Sequence, residues 1–243
     1  MIQSRIFTCS IALIALIISA SGAAAGMGPC VPANDFGLIC GSGEGAARAI
    51  VRTISPSQRF AFAWRFTNKP PTNRPDDDDP TLENLVVRLK DGAVLAKSKG
   101  AYWDLSTKIA KAYLMTAWSP DSRLLVKVEQ RAAFASVEVF AFAGNDAAIG
   151  PVDLAKIIQP PVLAKMDAKD GDRSGLVFVA RPSMTLNNQG LLHAIVQTTQ
   201  GEYGPTGPLY DVAVQLAPAA DSINAKVVSV TPHTGMSISI TVH

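Results

Sequence analysis

Leu85-Val86-Val87-Arg88-Leu89-Lys90, then Asp91-Gly92, then Ala93-Val94-Leu95-Ala96 forms two aliphatic runs joined by a turn dipeptide. Branched and aliphatic side chains suit a pleated surface that is buried on at least one face. Asp-Gly supplies the two positive φ angles of a tight type I′ turn, so the segment predicts an antiparallel hairpin. Upstream, Phe60-Ala61-Phe62-Ala63-Trp64-Arg65-Phe66 places aromatics at alternate positions. That is the period of a strand with one heavily buried face. Downstream, the same reading gives strands over 112–118, 124–129 and 134–142, then over 176–180, 191–198, 209–216 and 225–230. Asn187-Asn188-Gln189-Gly190 and residues 201–208 supply the breaks between them.

One region departs from this pattern. Residues 152–158 and 162–166 carry Leu, Ala, Lys and Ile at helical spacing on either side of Pro160-Pro161. A residue before proline leaves the α region, whereas proline is tolerated in a first helical turn. Two short helices with a kink are expected, connecting two β parts.

The chain has 243 residues, 48% of them apolar, enough for one sizeable core. Charged residues are 17%, below the usual proportion of about 25%, which excludes a largely disordered chain. A formal charge of only +2 removes the electrostatic case for a nucleic-acid binder. Beyond the first segment, no apolar run reaches the roughly 20 residues needed to cross a bilayer.

That first segment reads as a secretory signal peptide. Met1-Ile2-Gln3-Ser4-Arg5 carries one positive charge, Ile6 to Ile18 is apolar and uncharged, and small residues fill Ser19 to Gly26. Cleavage is expected after Ala25, giving a periplasmic or secreted protein. Cys9 leaves with the leader, and Cys30 and Cys40 remain as an even pair in an oxidising compartment. They are expected to form a disulfide, contributing about 2–3 kcal/mol. Gly41-Ser42-Gly43-Glu44-Gly45 reads as a flexible link; with no strand before it and the wrong spacing, it is not a nucleotide fingerprint. The expected organisation is a leader over 1–25, a disulfide-closed segment and link over 26–48, one β unit over 49–150, and a helical connection with a second β unit over 151–243. Together these make one compact domain.

Ser55-Pro56-Ser57-Gln58-Arg59 recurs as Ser119-Pro120-Asp121-Ser122-Arg123, each copy between apolar strands. Proline pre-sets φ at the second turn position, Ser at the first can bond the backbone ahead, and Asp121 can accept from the N–H of Arg123. Ser55, Pro56, Ser119, Pro120, Asp121 and Arg123 are therefore expected to be structural turn residues. From Leu85 onward, the order is strand, Asp-Gly turn, strand, a linker with Trp103, strand, then Trp118-Ser119-Pro120-Asp121-Ser122-Arg123. That order resembles a blade of the TolB-like and prolyl-oligopeptidase-like β-propellers, which a W-S-P-D-G-K/R turn marks. Ser122 stands where the family has Gly, and the earlier copy lacks the Asp. The resemblance covers residues 49–142 and implies propeller-like antiparallel meanders. A closed propeller needs at least four blades of roughly 40–45 residues, and the marker occurs only twice. The expected fold is thus mainly β, with antiparallel propeller-like β-meander sheets, one or two short helices near 152–166, and no closed propeller.

Motifs that carry chemistry are scarce. The chain has no H-E-x-x-H, C-x-x-C or G-x-S-x-G. Of the three histidines, His193 shares a strand face with Leu191 and Ile195 and is expected to be at least half-buried; His233 and His243 lie near the end. Asp76 to Asp79 are contiguous and flanked by prolines, and Asp167, Asp170 and Asp172 surround Gly171. The first run lacks the spaced ligands and turn glycine of a calcium loop, and the second reads D-x-x-D-G-D rather than D-x-D-x-D-G, so no metal and no cofactor is expected. Trp64 and Trp118 alternate with other apolar residues and read as core. Tyr102-Trp103 is the aromatic pair expected to be exposed, and is the candidate ligand contact. The resemblance to TolB-like blades implies a non-catalytic exported β scaffold that binds another protein or an envelope component. The alternative is a small exported hydrolase or carbohydrate-binding protein using Tyr102, Trp103 and nearby carboxylates.

Overall fold

The structure, a computed structural model, describes residues 27–33, 37–71, 79–100, 113–131, 134–166, 175–178, 184–200 and 204–234. It is mainly β, built as three successive antiparallel sheets. Strands β1 (Cys30–Pro32), β2 (Leu38–Cys40), β3 (Ala47–Ala49), β4 (Phe60–Phe66), β5 (Leu82–Arg88) and β6 (Ala93–Ser98) pair in chain order as a six-stranded meander. Strands β7 (Tyr113–Trp118), β8 (Leu124–Arg131), β9 (Phe134–Phe142) and β10 (Ala148–Asp153) form the second, four-stranded meander. Helix α1 (Ala155–Leu163) leads to the third sheet, in which β11 (Gly175–Phe178) and β12 (Met184–Leu186) both pair with β13 (Leu191–Gln200). It continues through β14 (Gly204–Pro218) to β15 (Ile223–Pro232).

Side-chain alternation decides how the sheets stack. Phe60, Phe62, Trp64 and Phe66 of β4 point one way and meet Leu125, Phe140 and Phe142 of the second sheet. Phe60 and Phe142 stack with centroids 4.6 Å apart, and Trp118 lies 5.6 Å from Phe142. The opposite faces of β8 and β9, with Val126, Val128, Val137, Val139 and Ala141, pack on Leu192, Ala194, Val196, Val212 and Val214 of the third sheet. Helix α1 presents Ile158 and Val162, and Leu154 just before it, to that same core. The second sheet is therefore the middle layer.

The other face of β4 was not expected to be buried, yet Ala61 and Ala63 are 0% exposed. They join Ala47, Ala49, Cys40, Leu85 and Val87 in a core of mostly small side chains. Small residues are needed because the first sheet curls on itself. The N–H groups of Met27, Gly28 and Cys30 donate to the carbonyls of Gly92, Asp91 and Leu89. A Cβ on Gly92 would stand 2.2 Å from the Gly28 carbonyl oxygen, so only glycine allows this crossing. Cys30 and Cys40 face each other across β1 and β2 and are bonded as a disulfide.

Two local expectations are corrected. The β5–β6 connection is not a two-residue type I′ turn: β5 ends at Arg88, and only Gly92, at φ 64°, is left-handed. The loop is Leu89 to Gly92, closed by Gly92 N–H to Arg88 O at 2.8 Å, while Asp91 accepts from Ala93 N–H at 3.1 Å. Asp91 thus works through its carboxylate rather than through a positive φ. The Pro160-Pro161 region is one helix, Ala155–Leu163, and Val152 and Asp153 belong to β10. Each proline removes a helical hydrogen bond but fixes a φ compatible with the helix. Ile158 and Val162, on the buried stripe, hold the axis in place across them.

Candidate functional site

The two Ser-Pro turns have the same backbone geometry. In the first, Ser55 N–H donates to Phe60 O at 2.9 Å and Gln58 N–H to Ser55 O at 2.8 Å. In the second, Ser119 N–H donates to Leu124 O at 2.9 Å and Ser122 N–H to Ser119 O at 2.8 Å. Ser55 Oγ accepts from the N–H groups of Arg59 and Phe60, at 3.2 and 3.1 Å. Ser119 Oγ accepts from those of Arg123 and Leu124, at 3.1 and 2.9 Å. Asp121 Oδ1 accepts from the Ser119 hydroxyl at 2.6 Å and from Arg123 N–H at 3.1 Å. The fourth residue of each turn is left-handed, Gln58 at φ 56° and Ser122 at 60°.

A third turn, between β12 and β13, follows the same plan with one residue fewer. Gly190 N–H donates to Asn187 O at 3.1 Å, Asn187 Oδ1 accepts from Leu191 N–H at 2.9 Å, and Gly190 has φ 76°. In sequence it reads only as a break. A short polar side chain at the first position and a residue tolerant of positive φ at the fourth are what relate it to the Ser-Pro pair.

These three turns, one from each sheet, are bonded to one another. Ser57 N–H of the first donates to Ser122 Oγ of the second at 3.0 Å. Asp121 N–H of the second donates to Asn188 Oδ1 of the third at 2.9 Å. Behind the first junction, Trp118 Nε1–H donates to Thr53 O at 2.9 Å. The β5–β6 and β9–β10 turns extend the rim. Asp146 of the latter ion-pairs with Arg59 and lies 3.4 Å from Arg88, which in turn holds Asp91 at 2.6 Å. The Arg88 guanidinium keeps the Asp91 carboxyl below the usual carboxylate range.

Between the second and third sheets, the rim opens into a cleft of about 460 Å³. Its walls are Asp121 and Arg123, Phe142 to Gly144, Asn188 to Gly190, and Gln215 to Pro218. Arg123 is exposed and, among the described residues, has no acidic partner.

Other candidate residues are dispersed. His193 is exposed rather than half-buried. The Leu192, Ala194 and Val196 face of β13 fills the core, which leaves His193 outward beside Leu191 and Ile195, themselves only partly buried. His233 Nδ1 lies 3.0 Å from both carboxylate oxygens of Asp211. Asp79 accepts from Lys69 and from the hydroxyl and N–H of Thr81, which lower its pKa to about 2. Among the described residues, no group of three His, Cys, Asp or Glu side chains is placed to hold a metal ion, and no helix is long and apolar enough to cross a membrane. Tyr102 and Trp103, the leader, Asp76 to Asp78, Asp167, Asp170, Asp172 and His243 lie outside the described residues.

No protein-family profile, curated protein or solved structure matches the chain.

Proposed function

We propose that this is an exported, non-catalytic β-scaffold protein that binds a partner protein of the cell envelope through the rim of turns and its cleft. The observation that carries this reading is the hydrogen bonding of three turns, from three different sheets, to one another, the second and third of them lining one cleft. Such bonding orders the loops before a partner arrives and so lowers the entropic cost of association. Pro56, Ser57, Pro120, Asp121 and Arg123 stay exposed while the bonds beneath them set the loop shape. The matching Ser-Pro turns and the three consecutive antiparallel sheets, the first two of them meanders, also support the likeness to propeller blades. Export rests on the leader-like first segment, and a Cys30–Cys40 disulfide suits an oxidising compartment.

The experiment is capture from a solubilised envelope fraction using the processed chain and Gln189→Trp, which fills the cleft mouth from an exposed position. The processed chain is expected to retain a specific protein that the folded variant does not. Equal capture by both would place recognition elsewhere. N-terminal sequencing of the exported form is expected to begin at Gly26, and a start at Met1 would remove the export half of the proposal.

A further inference from the structure

The two junctions between sheets are built alike and differ in one ion pair. In each, the N–H of the third turn residue, Ser57 or Asp121, donates to the next sheet's turn. In each Ser-Pro turn the fifth residue is an arginine. At the first junction, Arg59 ion-pairs with Asp146, whose side chain is only 8% exposed. At the second, the hairpin of the third sheet that corresponds to the one carrying Asp146 joins β14 to β15. It holds Asp221, which is exposed and does not line the cleft. Among the described residues, Arg123 therefore meets no carboxylate and opens onto the cleft.

We propose that the cleft binds a carboxylate-bearing peptide segment, with Arg123 taking toward the ligand the role that Arg59 takes toward Asp146. This rests on the partner-binding reading above and names the chemistry of what is bound. The planar guanidinium presents paired donors that match a carboxylate. The other walls suit a backbone. Asn188 Oδ1 is engaged by Asp121 N–H, which leaves the amide NH₂ to donate. Asp121 Oδ1 is taken by Ser119 and Arg123 N–H, which leaves Oδ2 to accept. Gln215 donates through Nε2 to Gln189 O at 2.6 Å, which leaves Oε1 to accept. Donors beside acceptors match the alternating N–H and C=O groups of a peptide.

Charge and shape narrow the ligand further. Asp121 and Arg123 cancel in formal charge, so a bare anion gains little, whereas a ligand that also donates hydrogen bonds gains from both. Phe142 is 6% exposed and stacked on Phe60, and so presents no open ring face to a sugar. A volume of about 460 Å³ lies within the usual range for small-ligand sites and exceeds what one carboxylate fills.

The test follows backbone amide shifts of the isotopically labelled processed protein during titration. The probes are N-acetyl-trialanine with a free C-terminal carboxylate, its C-terminal amide, and galacturonate. The free-acid peptide is expected to shift Arg123, Gly144 and Gly190 saturably. The amide should bind about tenfold more weakly, the scale of one lost charge-assisted hydrogen bond. Arg123→Gln is expected to weaken the acid peptide by a similar factor with an unchanged melting temperature. Equal affinity for acid and amide, no saturable shifts, or unaltered binding to Arg123→Gln would each overturn the proposal. Tighter binding of galacturonate than of either peptide would overturn the peptide assignment. If Arg123→Gln still captures the envelope partner, the carboxylate inference fails while rim-mediated binding stands.

Discussion

Ser119 is the residue on which the second turn depends. Its side chain is 0% exposed, and its hydroxyl accepts two backbone N–H groups while donating to Asp121. Ser119→Ala strands a buried N–H of Leu124, and leaving a buried donor unsatisfied costs about 1–3 kcal/mol. Asp121 is exposed, and Arg123 N–H keeps the Ser119 oxygen when the carboxylate is removed. We therefore expect Ser119→Ala to lower stability by about 2 kcal/mol and Asp121→Ala by about 1 kcal/mol or less. Urea unfolding at equilibrium measures both, and the reverse ranking would show that the carboxylate closes the turn. The motif is legible as a turn because proline and short polar side chains act locally. That the hydroxyl, more than the carboxylate, carries the bonds depends on burial, which a sequence does not display.

At the scale of elements, the left-handed fourth position of each turn separates local conformation from contact between sheets. Gln58 and Ser122 have nearly the same φ, 56° and 60°. A non-glycine residue there costs roughly 1–2 kcal/mol. Gln58 is exposed and its side chain makes no hydrogen bond among the described residues, so Gln58→Gly should raise stability by about 0.5–1 kcal/mol after the entropy of the more flexible unfolded chain is deducted. Ser122 also accepts Ser57 N–H across the junction. Ser122→Gly should therefore gain nothing net, and comparable stabilisation by both changes would mean that the inter-sheet bond contributes little. Calorimetric melting of the two variants decides this. Long strands with aromatics or branched residues were legible: β4 and β9 run over the expected 60–66 and 134–142. The three-residue strands β1, β2 and β3 were not, because three residues are too few to show a period and Ala-Arg-Ala has little strand preference; they are held by pairing to β4 and by the β1–β2 disulfide. Strand β10 hid behind Gly150-Pro151, residues that sequence reasoning assigns to breaks.

For the whole molecule, the middle sheet decides cohesion, because both faces of β8 and β9 are buried. The sequence marks these strands as apolar, but which face meets which sheet depends on contacts far apart in the chain. Local periodicity therefore gave the strands without their stacking. The layer toward the first sheet also contains charge. Lys127 is 0% exposed and lies 2.9 Å from Glu138 and 3.6 Å from Glu129, and it donates to the Lys99 carbonyl at the end of β6. Ser98 of β6 donates to the same Glu138 at 2.7 Å. The first sheet is thus tied to the second through this ammonium and carboxylate as well as through aromatic packing. Methionine in place of Lys127 keeps most of the volume but leaves two buried glutamates without that ammonium. Removing one partner of a buried pair costs about 3–5 kcal/mol, because the remaining charge is uncompensated. We expect Lys127→Met to lose that much, and Lys127→Met with Glu138→Gln to recover part of it. Because the two large cores share β8 and β9, intrinsic fluorescence and far-ultraviolet circular dichroism should report one coincident urea transition in the parent protein. In Lys127→Met both transitions should move together. A shift in fluorescence alone would show that the first sheet detaches while the other two remain folded, and a loss under about 1 kcal/mol would mean that water already screens the cluster.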